Sequence, residues 1–229
     1  MATSINGDQT VRATMHSADM EWSASPSGTV WRKRLHLVGP PEAGQVTSIV
    51  RYEPDSEFPR HDHPGGEEIF VLDGVFSDEH GDWSAGTYLL NPEGFRHTPF
   101  SKPGCLLFVK LRQFAGLDRE HHVIQTDALP WLPTATEGVS EKLLYRQLPF
   151  TDEVRLERWE AGTTPGVRTY DGGAEYFVID GRFENESGTY QKGSWLRLPP
   201  ALPHQPCTQE GCTLYIKSGA ARYLRQARD

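Results

Sequence analysis

The chain of 229 residues is long enough for one large domain or two compact ones, and either can bury a core. Acidic residues outnumber basic ones, 31 to 23, and the net charge of −8 argues against a footprint for nucleic acid or for an anionic membrane. The mean hydropathy is −0.56 and no apolar run approaches the ~18 residues of a membrane span, so a soluble protein with a small-molecule ligand is expected.

The opening residues, MATSINGDQTVRATMHS, lack the charged start and apolar stretch of a signal peptide, which makes the cytoplasm the expected location. Three cysteines, Cys105, Cys207 and Cys212, are too few and too scattered for a disulfide framework or a thiolate zinc ribbon. Any metal site here must therefore use nitrogen and oxygen ligands. The 22 glycines and 17 prolines punctuate short runs rich in Val, Ile, Leu and aromatic residues, which is the pattern of an all-β chain. In chain order, strands are expected at 46–52, 68–72, 88–91, 105–111, 154–159, 176–179 and 213–217. Asp73-Gly74, His80-Gly81 and Asp180-Gly181 carry hairpin-turn chemistry. Helix is sparse, and the best candidate for a short turn of it is the tail at 220–226.

The chain also repeats itself. A shift of about 107 positions lays Gly65-Gly66-Glu67-Glu68-Ile69-Phe70-Val71-Leu72-Asp73-Gly74 on Gly172-Gly173-Ala174-Glu175-Tyr176-Phe177-Val178-Ile179-Asp180-Gly181. The same register pairs Gly86 with Gly193, Pro92 with Pro199, His97 with His204 and Gly104-Cys105 with Gly211-Cys212. Two copies of a ~110-residue β domain follow, divided as 1–118 and 119–229, with a weaker echo of Trp22 in Trp131 marking a lead-in to each.

The first copy holds His61, His63, Glu67 and His97, the nitrogen and oxygen donors that suit a first-row divalent ion. Residues two apart on an extended strand share a face, so His61 and His63 converge; a Pro-Gly-Gly turn then lets Glu67 present its carboxylate from the next strand. His97 must arrive by tertiary folding. In the second copy His61, His63 and Glu67 become Arg168, Tyr170 and Ala174, while the scaffold glycines and prolines remain. His204 persists alone, as expected of a structural histidine.

The spacing His-x-His-(x)3-Glu-(x)6-Gly from His61 to Gly74, followed by Gly-(x)5-Pro-x-Gly-(x)2-His from Gly86 to His97, resembles both halves of the cupin signature. The surrounding segment is similar in particular to the ChrR-type cupin, a domain attached to certain zinc-binding anti-sigma factors and also found alone. The resemblance covers both copies, with the signature intact only in the first. It implies two tandem cupin domains, each a double-stranded β-helix or jelly-roll barrel, with one divalent transition metal per chain held by His61, His63, Glu67 and His97. Glu68 competes for the carboxylate position; Glu67 is preferred because it keeps both intervals and because Glu175 is retained opposite Glu68. No His and Cys spacing of the anti-sigma helical module precedes Val46, so sigma-factor inhibition by that module is not expected. The second barrel is expected to lack metal, with Arg168, Tyr170 and His204 as a conceivable anion pocket.

Zn, Fe, Ni and Mn all suit these donors, and the ion decides the chemistry. Three readings stand: a non-haem metal-dependent dioxygenase or oxidoreductase acting on a small dicarbonyl or hydroxyketone, a non-catalytic zinc-binding sensor or ligand-binding protein in stress response or transcriptional regulation, and a Lewis-acid isomerase or hydrolase. Phe70, Tyr88, Phe95 and Phe108 are offered as walls of an apolar cavity, or else as core. Cys105 and Cys212 are expected to be buried packing residues, Cys207 the more available thiol, and His121-His122 exposed. Arg51 with Glu53 and Arg158 with Glu160 recur, which suggests scaffold ion pairs. Single cupins commonly dimerise; two copies in one chain can satisfy that contact internally, and a homodimer of whole chains stays open.

Overall fold

The computed structural model describes residues 4–226, which are nearly all β, with single 3-10 turns at Ser17–Asp19, Thr126–Ala128 and Ala221–Tyr223. The last of these falls within the stretch expected to be helical. The chain forms two compact units, each an antiparallel jelly roll. The first contains Met20–Ala128 with the stretch ending at Gly7 and the residues from Arg225; the second contains Asp8–Asp19 and Leu129–Leu224.

The two units share one strand order. In the first, Val30–Val38 pairs with Gln45–Tyr52, which pairs with Cys105–Leu111, then Glu67–Asp78, then Thr87–Asn91. In the second, Val139–Arg146, Glu153–Trp159, Cys212–Ser218, Ala174–Asn185 and Ser194–Leu198 follow in the same order. This grouping differs from the sequence division at 118/119 in two segments. His122–Gln125 pairs with Thr87–Asn91 and so belongs to the first unit, whereas Ala13–His16 pairs with Ser194–Leu198 and so belongs to the second. Both segments do one job: each covers the otherwise open edge of an outer strand, whose unpaired N–H and C=O groups would template association.

Alternation along the strands builds each core. In the first unit Val30, Val50, Ile69, Val71, Leu107 and Val109 point inward. The second unit answers with Val139, Glu157's neighbour Trp159, Tyr176, Val178, Leu214 and Ile216. Only one of the three anticipated Gly turns reverses the chain: His80-Gly81 joins Glu67–Asp78 to Gly81–Ser84. Asp73-Gly74 and Asp180-Gly181 instead lie inside 12-residue strands, each beside a register shift. Gly74 and Gly181 have φ of 74° and 71°, and a Cβ at either would collide with the carbonyl of Gly104 or Gly211. They are bulge glycines that let the strand bend across the barrel.

Candidate metal centre

His61–Asp62 and Arg96–His97 form a two-stranded ribbon in which His61 lies opposite His97. That register places the two imidazoles side by side, with ring centroids 5.2 Å apart. His63 continues the segment, its amide donating to the Phe95 carbonyl at 2.9 Å, and its ring stands 4.7 Å from His61 and 4.8 Å from His97. Gly65 and Gly66, with φ of 75° and 74°, then reverse the chain into the Glu67–Asp78 strand, as the Pro-Gly-Gly signal predicts. Glu67 Oε2 lies 3.3 Å from His63 Nε2 and 3.6 Å from His97 Nε2. Opposite it, Asn91 Nδ2 donates to the same oxygen at 2.9 Å.

Glu68, one residue on, faces the other side of the strand and accepts from the Tyr88 hydroxyl at 3.0 Å. Glu175, its counterpart, accepts from Trp195 Nε1 at 2.8 Å. Both are held in the same structural role, away from the histidines.

One ring nitrogen from each of His61, His63 and His97 lies within 4.8 Å of the others. His61 Nδ1 faces the Pro59 carbonyl at 2.8 Å and His97 Nδ1 faces Asp78 Oδ2 at 2.9 Å. A carbonyl and a carboxylate only accept, so each Nδ1 carries the proton and each Nε2 of the neutral ring is a lone pair. His63 Nε2 and His97 Nε2 are 2.9 Å apart. Bonds of about 2.1 Å place neighbouring donors about 3.0 Å apart on an octahedral ion and about 3.4 Å apart on a tetrahedral one. The separations among His63, His97 and Glu67, 2.9, 3.3 and 3.6 Å, lie close to that interval, and the His61 nitrogen within 4.8 Å of the other two adds a fourth donor, a set that fits a first-row divalent ion.

The electrostatics divide: His63 and Glu67 are held in their ligating forms, whereas the surroundings of His97 favour a proton that an ion would have to displace. Burial lowers the pKa of His63 to about 4, keeping its ring neutral at physiological pH. Burial works to raise Glu67, but His63, His97 and the Asn91 hydrogen bond hold its carboxyl below the ordinary range. For His97, burial opposes the charged form, yet the Asp78 hydrogen bond and the Glu67 charge hold it above its usual value. Asp78 was not singled out from sequence, and it is the carboxylate that orients His97. Its counterpart in the repeat is Asn185 opposite His204, a change made in step with the loss of Glu67, and that joint change is a signal the internal alignment carries.

Beside the histidines, two adjoining cavities of about 140 Å³ and about 80 Å³ share His61, His63, Phe58 and Arg32 in their walls. Val50, Val109 and Leu111 line both, and the smaller adds Tyr52, Ile69, Phe76 and Leu107. Of the four aromatics offered as walls, Phe70, Tyr88 and Phe108 do not line them. They are buried on the strand faces opposite Ile69, Leu89 and Leu107 and serve as packing. Phe95 alone approaches the site, its ring 5.6 Å from that of His97.

The ChrR cupin-like domain family matches residues 10–115 and again 119–222. The chain belongs to this family. No curated protein sequence matches this cupin, but solved structures do. A Nostoc punctiforme protein provisionally assigned as a dioxygenase superposes with a TM-score of 0.72 at 15% identity, covering 90% of this chain and 82% of its own. The pirin YhhW of Escherichia coli, solved with nickel(II), gives 0.67 at 11%, covering 91% and 98%. Salicylate 1,2-dioxygenase from Pseudoaminobacter salicylatoxidans, in adducts with gentisate, gives 0.66 at 14%, covering 94% and 82%. At such identities the superpositions show a shared fold.

The second cupin barrel fills the equivalent place differently. Glu157 projects into it and takes both Arg168 Nη1 contacts, at 2.9 and 2.8 Å, together with Arg155 Nε at 2.8 Å and Trp159 Nε1 at 2.8 Å. Tyr170 and Tyr176 hydroxyls meet at 2.6 Å, and Tyr176 reaches His204 Nε2 at 3.1 Å. The anion pocket conceived around Arg168 is thus already occupied by the chain's own carboxylate. His204 is buried, and burial lowers its pKa to about 4.

Other expectations divide. Cys105 and Cys212 are buried, and burial pushes their thiols up to about 11 and about 12. Cys207 is partly exposed, with its thiol also raised and its sulfur 3.6 Å from Glu184 Oε1. His121 is exposed but stacks on Phe95 at 5.0 Å, and His122 is half-buried in its strand. Arg51 and Arg158 do not pair with Glu53 and Glu160 among the described residues. They lie over Trp22 and Trp131 at 4.6 and 4.2 Å, while Glu53 accepts from Trp31 Nε1. A guanidinium stacks on an indole face as readily as it pairs with a carboxylate. Among the described residues, no helix is long and apolar enough to cross a membrane.

Proposed function

We propose that the first barrel is a divalent-metal centre with His61, His63, Glu67 and His97 as ligands, and that it carries out oxidoreductase chemistry of the dioxygenase type on a small dicarbonyl or hydroxyketone. The observation that carries this reading is the convergence of His63, His97 and Glu67 at 2.9 to 3.6 Å, with a His61 ring nitrogen within 4.8 Å of those of the other two histidines, beside a partly apolar cavity. Four protein ligands leave up to two positions on a six-coordinate ion, and a bound iron would supply Lewis acidity and redox chemistry there.

The chain's own residues prepare the site. Asp78 fixes the His97 tautomer and aims Nε2 into the barrel; Pro59 does the same for His61 through its carbonyl. Asn91 holds one Glu67 oxygen. Tyr52, Phe76 and Leu107 give one cavity a low-dielectric wall, which strengthens polar contacts made inside it. The pirin among the structural neighbours, solved with nickel(II), supports a metal on this fold without naming the ion here, and the salicylate dioxygenase supports the reaction class.

The test is elemental analysis of untagged protein purified without chelator, followed by oxygen uptake with 2,4-pentanedione. About one iron, nickel or manganese per chain with oxygen consumption is expected for a single four-ligand site. Stoichiometric zinc with no turnover even after iron reconstitution would replace this reading with the non-catalytic binding module. Protein that takes up no metal under either condition would remove both.

A further inference from the structure

The Val30–Val38 strand puts Val30 into the barrel core, and alternation carries Arg32 and Arg34 to the same face. Two guanidiniums thus occupy lumen-side positions where a jelly roll otherwise places apolar residues. Their side chains are only 16% and 15% exposed. Both line the larger cavity together with His61, His63 and Arg112. Arg32 lies over the Phe58 ring at 5.9 Å, and Phe58 meets the His61 ring at 5.3 Å, so a continuous wall leads from the guanidinium to the donor cluster.

One carboxylate pairs with both guanidiniums. Glu42, on the turn between Val30–Val38 and Gln45–Tyr52, places its oxygens 2.8 and 2.7 Å from Arg32 Nη1 and 3.1 Å from Arg34 Nη2. Its side chain is 50% exposed, so the anion is the solvent-facing, exchangeable member of a trio whose cations are fixed in the wall. Asp62 also lines the cavity but lies 3.9 Å from Arg96, so Glu42 is the carboxylate paired with the two guanidiniums, and it does not neutralise both. Burial and the Arg32 charge hold Arg34 below its ordinary value despite Glu42, and Arg112 adds a third cation to the lining. The second barrel differs: the anion between its two lumen guanidiniums, Glu157, is itself buried, with a side chain only 3% exposed.

We propose that Arg32 and Arg34 form a carboxylate-binding subsite of the metal cavity, so that the substrate is an oxygenated small molecule carrying a carboxylate at the end remote from the metal, and that Glu42 holds the subsite until that carboxylate displaces it. The proposal deepens the metal-centre reading and rests on it. It names Arg32 and Arg34 as specificity determinants and Glu42 as an internal competitor.

Calorimetric titration of the full chain loaded with zinc, which binds oxygen donors without consuming the probe, tests it with 4,6-dioxoheptanoate and its methyl ester. The two share one diketone and differ in the remote charge. A charge-assisted contact predicts that the acid binds about tenfold or more tightly than the ester. Arg32→Gln is expected to bring the two to within about twofold, and Glu42→Gln to tighten the acid by roughly threefold while leaving the ester alone. The opposite signs of these two variants separate loss of the subsite from loss of fold. Equal binding of acid and ester, binding of neither, or an acid preference that survives in Arg32→Gln overturns the proposal. Failure of the metal reading is distinguishable: acid binding to chelator-treated protein that is as tight as to the zinc form, and still lost in Arg32→Gln, leaves the subsite standing without the metal.

Discussion

The two barrels have one strand order, the same pair of bulge glycines and matching buried cysteines, yet their lumens have parted. Where the first holds His61, His63, Glu67, Asn91 and Asp78, the second holds Arg168, Tyr170, Ala174, Leu198 and Asn185. Val50 has its counterpart in Glu157, and Ile69 in Tyr176. The second lumen is closed by an ion pair and a tyrosine chain, and Ala174 and Leu198 have joined its apolar cluster. The difference shows which residues the fold requires and which the chemistry requires. A barrel tolerates polar groups in its middle provided each is paired, and it makes no demand that the pairing be through a metal.

The sharpest way to break this comparison is to remove one histidine from each barrel. His97→Ala is expected to abolish metal binding outright, because it removes a donor and strands Asp78, while His204→Ala leaves metal content unchanged. Plasma mass spectrometry of the two variants reads both results. Loss of metal in His204→Ala would mean that the site is not confined to the first barrel.

Next in size is the loss of the second barrel's own anion. Glu157 is buried against Arg155 and Arg168, so Glu157→Gln takes the carboxylate from Arg168 while Arg155 keeps Glu153 and Glu141, and is expected to cost about 3 kcal/mol at neutral pH. Burial would raise the Glu157 carboxyl, but Arg168 and Arg155 hold it below the ordinary value of 4.5 in the folded protein. Its contribution is therefore fully present above that value and fades as the pH falls through the lower, folded-state one. Denaturant titrations at a series of pH values should show the wild-type advantage over Glu157→Gln narrowing only on the acid side. A constant gap would mean that the carboxylate's charge is not what the arginines require.

A smaller effect probes the support behind a ligand. Asp78→Asn copies the second barrel's Asn185 into the first, and loss of such an orienting carboxylate lowers metal affinity by about tenfold or more. Competition with a chromogenic chelator measures it. Retained affinity would assign Asp78 to the neighbouring His80 contact instead, which is present at 3.2 Å.

These cases also mark what could be read before folding. The repeat, the barrel class and the four candidate ligands were all legible, because each leaves a local trace: a register, a glycine spacing or a histidine pair. The preference for Glu67 over Glu68 followed from spacing, and the geometry supplies the reason, since adjacent strand residues face opposite sides. The same alternation argues against Phe70, Tyr88 and Phe108 as cavity walls, because a lumen-facing Glu67 sends Ile69 and Val71 inward and Phe70 outward. Asp73-Gly74 reads as a turn because a hairpin and a bulge both ask for a left-handed glycine, and only the long-range approach of Gly104 distinguishes them. Arg32, Arg34 and Glu157 gave no signal, since a charged residue on a strand reads as solvent-facing until its partner is known.

The smallest expected effect concerns what the barrels still share. Trp22 lies beneath Lys33 and Arg51, each 4.6 Å from its ring, and Trp131 lies beneath Lys142 and Arg158 at 4.6 and 4.2 Å. Each indole clasps two cations on the outer face of the strand pair it precedes, and Arg51 Nε, buried with no hydrogen-bond partner, is left to that stacking. With each contact worth about 0.5 kcal/mol or somewhat more at a partly exposed site, Trp22→Leu and Trp131→Leu should each cost roughly 1 kcal/mol. The losses should be similar, because the stacking distances are similar, and neither should alter metal content, because the clasp lies on the face turned away from the donors. Thermal unfolding of the two variants beside elemental analysis makes the measurement. A Trp22→Leu protein that unfolds normally but loses its metal would show that the lead-in segment shapes the lumen, and the separation of scaffold from chemistry would then hold for the second barrel alone.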